Sequence, residues 1–218
     1  MDTPRPLPPA LRLDRVAWPV RGLGPGRRVG LWVQGCTLGC PGCVSPSLWP
    51  ERGGSEVPVR ALAESIAATP ACDGLTVSGG EPFEQYGALM ALAAYLKALR
   101  SSGGGAPIEI GVYTGYRLEE LVARHPDGAF LRLLDWIIDG RYLRDRPADD
   151  GVRGSDNQRH FRFEGGVAVE RPPWPGAAHV DLAVPDGQVA VMALVPRAGE
   201  LSRLVEDLGR AGMPARWR

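Results

Sequence analysis

Strand-like apolar runs that alternate with helical segments over residues 28–139 are the feature that most constrains the fold. Short runs rich in Val, Ile and Leu recur between longer segments whose leucines repeat every three or four residues. Strands separated by helices are typical of a parallel sheet with right-handed crossovers. We therefore predict an α/β fold with a mainly parallel sheet. The predicted order is strand 29–33, helix 58–68, strand 75–77, helix 82–102, strand 108–113, helix 118–124 and strand 136–138.

After residue 160 the hydrophobic period changes to two. Residues 161–169 alternate in polarity, and 180–184 faces 189–194 across a Pro-Asp-Gly turn, which indicates antiparallel hairpins. Leucines on one side of 201–208 predict a closing amphipathic helix. The predicted organisation is an irregular, proline-rich lead-in at 1–27, one core domain at 28–160, and a C-terminal antiparallel hairpin and helix at 161–218 that pack on the core.

Charge and hydropathy exclude several classes of partner. The 218-residue chain has 25 basic and 25 acidic residues, so its formal net charge is zero. No global field therefore favours nucleic acid or an anionic membrane. No apolar run approaches a membrane-spanning length, and the first thirty residues lack a secretory apolar stretch. We expect a cytoplasmic protein that binds neither nucleic acid nor membrane.

Three cysteines, Cys36, Cys40 and Cys43, form a C-x-x-x-C-x-x-C run directly after the first predicted strand of the core. An iron-sulfur cube takes four ligands, so a loop that supplies three thiolates leaves one iron open to a molecule other than protein. An open coordination position allows a metal to bind and transform a small molecule. The pattern therefore predicts a catalytic [4Fe-4S] site.

These cysteines also admit two simpler interpretations. A structural zinc site needs a fourth ligand, and the candidates Cys72, His125, His160 and His179 do not have zinc-finger spacing. A disulfide is disfavoured because the chain has only four cysteines and no secretory signal. Cys72 is expected to be an ordinary buried residue.

Four distinctive segments follow the four core strands. In parallel α/β folds, ligands bind beyond the carboxyl ends of the strands, where the connecting loops meet. Gly79 and Gly80 lack side chains, so their backbone can approach a ligand closely, and Glu81 is an anion that can meet an ammonium group or fix the loop. We therefore expect one pocket to be lined by the segments 35–43, 78–82, 114–116 and 139–141.

These motifs resemble those of the radical S-adenosylmethionine enzymes. The C-T-L-G-C-P-G-C run is similar to the cluster loop of that superfamily, and S-G-G-E-P is similar to its motif for the amino group of S-adenosylmethionine. Further runs resemble the activating proteins of anaerobic ribonucleotide reductase, which activate a glycyl radical enzyme. Those runs are W-V-Q-G-C, Y-T-G-Y, I-D-G-R-Y and R-G-S-D-N-Q, and the resemblance covers residues 16–162.

The resemblance implies a partial (open) β/α barrel, a [4Fe-4S] cluster on Cys36, Cys40 and Cys43, and S-adenosylmethionine as the second cofactor. It implies reductive cleavage of S-adenosylmethionine to a 5′-deoxyadenosyl radical, which abstracts hydrogen from a protein or peptide. A flavodoxin or ferredoxin would supply the electron. The residues implied in binding S-adenosylmethionine are Ser78, Gly79, Gly80, Glu81, Thr114 and Asp139.

The sequence also departs from these activating proteins. Val44-Ser45 replaces a polar or aromatic residue followed by Asn, Asp156 interrupts an R-G-S-S-N-Q run, and the tail at 163–218 has no counterpart in the shortest members. The tail either covers an exposed sheet edge or builds another substrate surface. Two alternatives therefore remain open at the sequence level. One is the same chemistry on a peptide or small-molecule biosynthetic substrate, and the other is a non-catalytic iron-sulfur or zinc protein.

Overall fold

The computed structural model describes residues 9–104, 106–174, 180–183, 190–194 and Arg210. These residues form an eight-stranded mixed sheet with helices, and a separate two-stranded sheet. The elements are β1 (Ala10–Val20), β2 (Arg28–Val33), β3 (Ser55–Pro58), α1 (Val59–Ala68), β4 (Gly74–Gly79), α2 (Tyr86–Ser102), β5 (Glu109–Tyr113), α3 (Leu118–Arg124), α4 (Phe130–Leu133), β6 (Trp136–Asp139), β7 (Arg159–Glu164), β8 (Val167–Glu170), β9 (Val180–Ala183) and β10 (Ala190–Leu194).

The large sheet has the strand order β3-β1-β2-β4-β5-β6-β7-β8. Its central strands, β2, β4, β5 and β6, run parallel. The four pairings on the two flanks are antiparallel. The prediction of a mainly parallel sheet is therefore wrong, although the α/β class is confirmed. The flanking strands follow their neighbours without a helical crossover, and a parallel pairing requires such a crossover.

The largest departure from the sequence prediction lies in the N-terminal segment. The sequence predicts an irregular or extended lead-in at 1–27, outside the core, but Ala10–Val20 forms β1, which pairs with both β2 and β3. Leu11 and Leu13 alternate with more exposed residues and enter the core. Pro19, which has no backbone N–H, lies within the register shift between Ala17 and Val20 and so does not interrupt the ladder.

Helices α1 and α2 pack over the parallel centre of the sheet. All six residues of β2 are buried, as a strand covered on both faces requires. Leu89, Leu92 and Leu96 of α2 are buried in the same apolar cluster as the strands, whereas Leu99 is 37% exposed. The predicted helix at 82–102 is divided, since a 3₁₀ turn (Pro82–Gln85) precedes α2.

The antiparallel hairpins predicted after residue 160 are present, but the first belongs to the main sheet. β7 pairs with β6 and β8, so the predicted boundary at 160/161 falls inside a strand. β9 and β10 pair antiparallel as a separate sheet. The predicted helix at 201–208 lies outside the described residues.

The parallel centre determines where the site lies. The carboxyl ends of β2, β4, β5 and β6 lie at one edge of the sheet, and each leads into one of the segments expected to line a pocket. No helix in the described part of the chain is both long and apolar enough to span a bilayer.

Candidate functional site

A cavity of about 200 Å³ lies at the carboxyl edge of the parallel strands. It is bounded by all three cysteines of the motif and by the loops that follow β4, β5 and β6. A pocket formed by consecutive strand ends is the usual ligand site of such a sheet. The lining residues are Leu23, Cys36, Leu38, Cys40, Cys43, Val44, Trp49, Ser78, Gly79, Gly80, Glu81, Tyr113, Thr114, Gly115, Gly140, Tyr142, Gly154 and Gln158.

The cysteine loop leaves β2 and is held at its base by backbone hydrogen bonds. Gly35 N donates to the Leu48 carbonyl at 2.8 Å, and Cys36 N donates to the Trp49 carbonyl at 3.0 Å. All three thiols are free, and Cys43 N donates to the Cys40 carbonyl at 3.1 Å. Burial, with smaller effects of the Glu81 and Glu84 carboxylates, raises the pKa of the Cys36 thiol.

The three sulfurs share the cavity wall but are not gathered at one point. Among the described residues, no group of three or more Cys, His, Asp or Glu side chains has metal-site geometry. The donor set nevertheless fits an iron-sulfur cluster, since three thiols on one loop of glycine-rich backbone face a single cavity.

Gly79 and Gly80 join the β4 loop to the cysteine loop by direct backbone contact. Gly80 N donates to the Val33 carbonyl and Glu81 N donates to the Gly35 carbonyl, both at 2.8 Å. A Cβ on Gly80 would lie 2.1 Å from the Gly35 carbonyl oxygen. Gly79 has a φ of +104°, which favours glycine. The glycines are thus required by the packing of the two loops, in addition to the ligand approach expected from the sequence.

Glu81 holds the β4 loop to the β5 loop. Its side chain is 1% exposed and accepts hydrogen bonds from Phe83 N at 2.9 Å, Thr114 Oγ1 at 2.8 Å and Gly115 N at 2.8 Å. Burial raises the pKa of Glu81 to about 7, and these three hydrogen bonds oppose that rise. The carboxylate fixes the loops and also lines the cavity.

A second carboxylate, Glu84, ties the 3₁₀ turn to the cysteine loop. It accepts hydrogen bonds from Thr37 N at 2.9 Å and from Thr37 Oγ1 at 2.5 Å. Tyr116 donates its hydroxyl to the same carboxylate at 3.4 Å. Since Thr37 directly follows Cys36, this network also restrains the start of the cysteine motif.

Five of the six residues predicted to bind S-adenosylmethionine line the cavity, and Asp139 does not. The Asp139 side chain is fully buried and accepts hydrogen bonds from Arg159 at 3.0 and 2.5 Å and from Leu118 N at 2.7 Å. These contacts join β6, β7 and the start of α3. The ligand contact of Asp139 stays a prediction, and a ligand would compete with these partners.

Several residues of the cavity were not selected from the sequence. Gln158 is 8% exposed, accepts hydrogen bonds from Gly154 N at 2.9 Å and Ser155 N at 3.1 Å, and donates to the Gly140 carbonyl at 2.9 Å. Gly154 and Gln158 line the cavity, so part of the R-G-S-D-N-Q run lies at the pocket rim. The sequence left open whether this run holds the sheet edge or forms the rim, and its resemblance to the activating proteins was the available signal. Tyr113, the last residue of β5, also lines the wall.

The described zinc-ligand candidates, Cys72, His125 and His160, do not line this cavity. Cys72 is buried in the main apolar cluster and donates to the Gly74 carbonyl at 3.3 Å. His125 stacks on Tyr86 with ring centroids 3.6 Å apart, and His160 contacts the Pro172 carbonyl at 3.2 Å. His179 lies outside the described residues. A structural zinc site on the three cysteines would therefore lack a fourth ligand among the described candidates.

The raised pKa of Glu81 should make the stability of the chain depend on pH. The folded-state pKa of Glu81, about 7, lies above the ordinary glutamate value of 4.5, so the folded chain keeps this proton to a higher pH than the unfolded chain does. The resulting stabilisation, about 3 kcal/mol, is complete below the unfolded pKa and is lost as pH rises through about 7. Anaerobic urea unfolding of the metal-free protein should show that the free energy of unfolding falls from pH 5 to pH 8, with a slope that corresponds to about one proton.

Glu81→Gln should remove that pH dependence. It should also lower stability by about 1–3 kcal/mol at pH 5, because the amide has one acceptor oxygen for three donors. An equal decline with pH in the wild type and the variant would contradict the assignment. Glu64→Gln is the control, since that side chain is 53% exposed on α1.

Residues 23–161 match the family model described as a 4Fe-4S single cluster domain. The anaerobic ribonucleoside-triphosphate reductase-activating protein of Enterobacteria phage T4 is 33% identical over 66% of this chain and 89% of its own length. The protein of that name from Vibrio cholerae is 33% identical over 64% of this chain and 90% of its own.

Among solved structures, QueE from Escherichia coli is similar to 49% of this chain and 53% of its own, with a TM-score of 0.39 and 17% identity. A likeness of that extent supports no inference about function.

Proposed function

Because the chain belongs to the 4Fe-4S single cluster domain family, and within it to the anaerobic ribonucleoside-triphosphate reductase-activating proteins, we infer that it is a radical S-adenosylmethionine activase. Its substrate is a protein, a glycyl radical enzyme of the anaerobic ribonucleotide reductase kind. The main structural support is that Cys36, Cys40 and Cys43 line the same cavity as the Gly79–Glu81 segment. The non-catalytic alternative is disfavoured by the relatives, which are activating proteins by name.

Within this function, the three thiolates of Cys36, Cys40 and Cys43 would hold a [4Fe-4S] cluster. When bound and reduced, that cluster supplies the electron that cleaves S-adenosylmethionine to methionine and a 5′-deoxyadenosyl radical. The protein contributes position and exclusion of water. Backbone hydrogen bonds from Gly80 and Glu81 fix the start of the cysteine loop against the end of β4, and the Glu81 carboxylate fixes β4 against β5.

We propose that the cavity residues predicted from the sequence bind S-adenosylmethionine. The support is their shared placement. Ser78 and Gly79 end one parallel strand, Gly80 and Glu81 follow it, and Thr114 follows the next strand. All five line the cavity beside the cysteines. Glu81 accepts three hydrogen bonds and a carboxylate has about four acceptor sites, so an ammonium donor can still bind it.

The domain organisation and the open barrel belong to the same proposal. Residues 28–160 would act as a core whose parallel centre corresponds to a partial β/α barrel, supported by the family match over 23–161. The remaining residues to 218 would be an extension packed on that core. In support, β10 comes within 8 Å of β1, measured between Cα atoms.

An external reductant and a cytoplasmic location complete the proposal. Each cleavage of S-adenosylmethionine consumes one electron. A flavodoxin or ferredoxin would supply that electron. Four free cysteines support a reducing compartment, because disulfides are rare where thiols are kept reduced.

The test is electron paramagnetic resonance combined with product analysis. Anaerobically reconstituted protein is expected to carry about four irons and four sulfides per chain, as a cube with three thiolate ligands requires. Addition of S-adenosylmethionine to the reduced protein should change the cluster spectrum, and 5′-deoxyadenosine should form. Mixing with an anaerobic ribonucleotide reductase should then produce a glycyl radical doublet.

Three results would count against this function. A spectrum that does not respond to S-adenosylmethionine would indicate a non-catalytic cluster. One zinc per chain would indicate a structural site. Formation of 5′-deoxyadenosine without a glycyl radical in the reductase would indicate a different substrate. Residues 163–218 would then be the first candidate for its binding surface.

A further inference from the structure

Two arginines contact the cysteine loop from outside the cavity. Arg141 donates a hydrogen bond from its guanidinium to the Leu38 carbonyl at 2.9 Å. The aliphatic stem of Arg144 fills the space beside Gly42, where an added Cβ would lie 2.8–3.3 Å from its Cδ, Cβ and Cγ. Leu38 and Gly42 are spacer residues of the C-x-x-x-C-x-x-C motif. Both arginines are therefore attached to the segment that carries the thiolates.

Their charges are exposed and available. Arg141 and Arg144 are both exposed, and neither lines the cavity. Nearby arginines are neutralised, since Arg146 pairs with Asp156 at 2.8 Å and Arg153 pairs with Asp150 at 2.6 Å. Within the part of the chain that the structure describes, neither Arg141 nor Arg144 has a carboxylate partner, although the exposed Asp145 lies next to Arg144 in the sequence. We call Arg141 and Arg144 the arginine pair.

Resting on the proposed function, we propose that the arginine pair is the docking surface for an acidic electron-carrier protein of the flavodoxin or ferredoxin class. The cavity side of the cysteine loop must accommodate S-adenosylmethionine and the reacting group of the substrate. The outer side of the same loop remains for the reductant. The loop residues that the arginine pair contacts are close in sequence to the three cysteines. Gly42 is one residue from Cys43, and Leu38 is two residues from both Cys36 and Cys40.

The transfer at this surface is a single electron. The reduced carrier is oxidised by one electron, and the oxidised cluster held by the three cysteines is reduced by one. No covalent bond forms or breaks, and no proton is required to move in this step.

Charge complementarity explains why a carrier with an acidic surface suits this site. Redox encounters use small interfaces, so little apolar burial is available to orient the partners. Complementary charge at the rim of an interface raises the association rate and selects the orientation. Because exposed charges are screened over about 8 Å at physiological ionic strength, the contribution must fall as salt is added.

The experiment measures how fast a pre-reduced flavodoxin reduces the reconstituted, oxidised enzyme in an anaerobic stopped-flow instrument. Arg144→Glu should lower the second-order rate constant about tenfold at low ionic strength, and the difference should shrink at high salt. Arg144→Gln should give an intermediate loss, and Arg144→Lys should restore most of the rate. Arg60→Glu is the matched control, with the same change of charge on a side chain of α1 that is 75% exposed.

Two further measurements distinguish an effect on carrier docking from an effect on S-adenosylmethionine cleavage. The final yield of 5′-deoxyadenosine with chemical reductant should be the same for the wild type, Arg144→Glu and Arg60→Glu. Titration calorimetry with the oxidised flavodoxin should show weaker binding to Arg144→Glu, and it requires no turnover.

The outcomes are distinct. Equal carrier-driven rates and equal binding for Arg144→Glu and the wild type would overturn the docking surface. So would a variant that slows activation of the ribonucleotide reductase under chemical reductant while leaving carrier reduction unchanged, because the arginine pair would then bind the substrate protein. Failure of the wild type to cleave S-adenosylmethionine with chemical reductant would overturn the proposed function, while the binding measurement would still decide the docking surface.

Discussion

Cys40→Ala is expected to reduce the iron content of reconstituted protein from about four atoms per chain to near zero, because two thiolates alone do not retain a cube. The chain should remain folded. Cys40 is 9% exposed but lies in the loop after β2, outside the main apolar cluster. Iron and sulfide analysis measures the first effect, and far-ultraviolet circular dichroism with thermal unfolding of the metal-free protein measures the second.

Cys72→Ala provides the matched control and should behave in the opposite way. Cys72 is 8% exposed within the main apolar cluster and lies outside the cavity. Its truncation should cost about 1 kcal/mol of stability and leave the iron content unchanged. Equal loss of iron in both variants would indicate that Cys72 is a ligand. Loss of folding in both Cys40→Ala and the metal-free wild type would indicate a structural metal.

Gly80→Ala is expected to impair both the cluster and the binding of S-adenosylmethionine. The added Cβ would lie 2.1 Å from the Gly35 carbonyl oxygen and 2.8 Å from the Gly35 carbonyl carbon. These are backbone atoms directly before Cys36, so the conflict cannot be relieved by rotating a side chain. Displacement of the cysteine loop should lower the affinity for S-adenosylmethionine at least about tenfold, which corresponds to 1.4 kcal/mol.

Iron analysis and equilibrium binding of S-adenosylmethionine measure these two effects. Gly87→Ala is the control, because an added Cβ at Gly87 meets nothing within 4 Å. Gly87 lies in the first turn of α2, where alanine is the better helix former, so this variant should be neutral or slightly more stable. A Gly80→Ala protein with full iron content and weak ligand binding would show that Gly80 acts on the ligand alone.

The central fold was predictable because its local signals agree with its tertiary environment. Every residue of β2 is buried, and α2 buries leucines at helical spacing, so periodicity alone locates both. The flanks were not predictable in this way. β1 lies in a segment with many prolines, and its strand character depends on its pairing with β2 and β3. Such pairing partners are not visible in the local sequence.

The candidate site shows the same division. The cysteine motif and the Gly79–Glu81 segment are each a short run of consecutive residues at the end of a strand. That was sufficient to predict that the two segments meet at one cavity. The environment of Asp139 depends on the register of β6 and β7, which places it opposite Arg159. Sequence spacing cannot supply that register. The polar contacts of Gln158 likewise arise from the folding of the 153–158 loop onto Gly140.

The backbone contact between Gly80 and Gly35 has a consequence for protein engineering. A designer who grafts only the cysteine segment onto another α/β scaffold would lose the hydrogen bonds that end at the Val33 and Gly35 carbonyls. The smallest transferable unit would comprise both strand ends together with the turn beginning at Pro82. In this architecture the cysteine loop and the Gly79–Glu81 segment therefore form one structural unit.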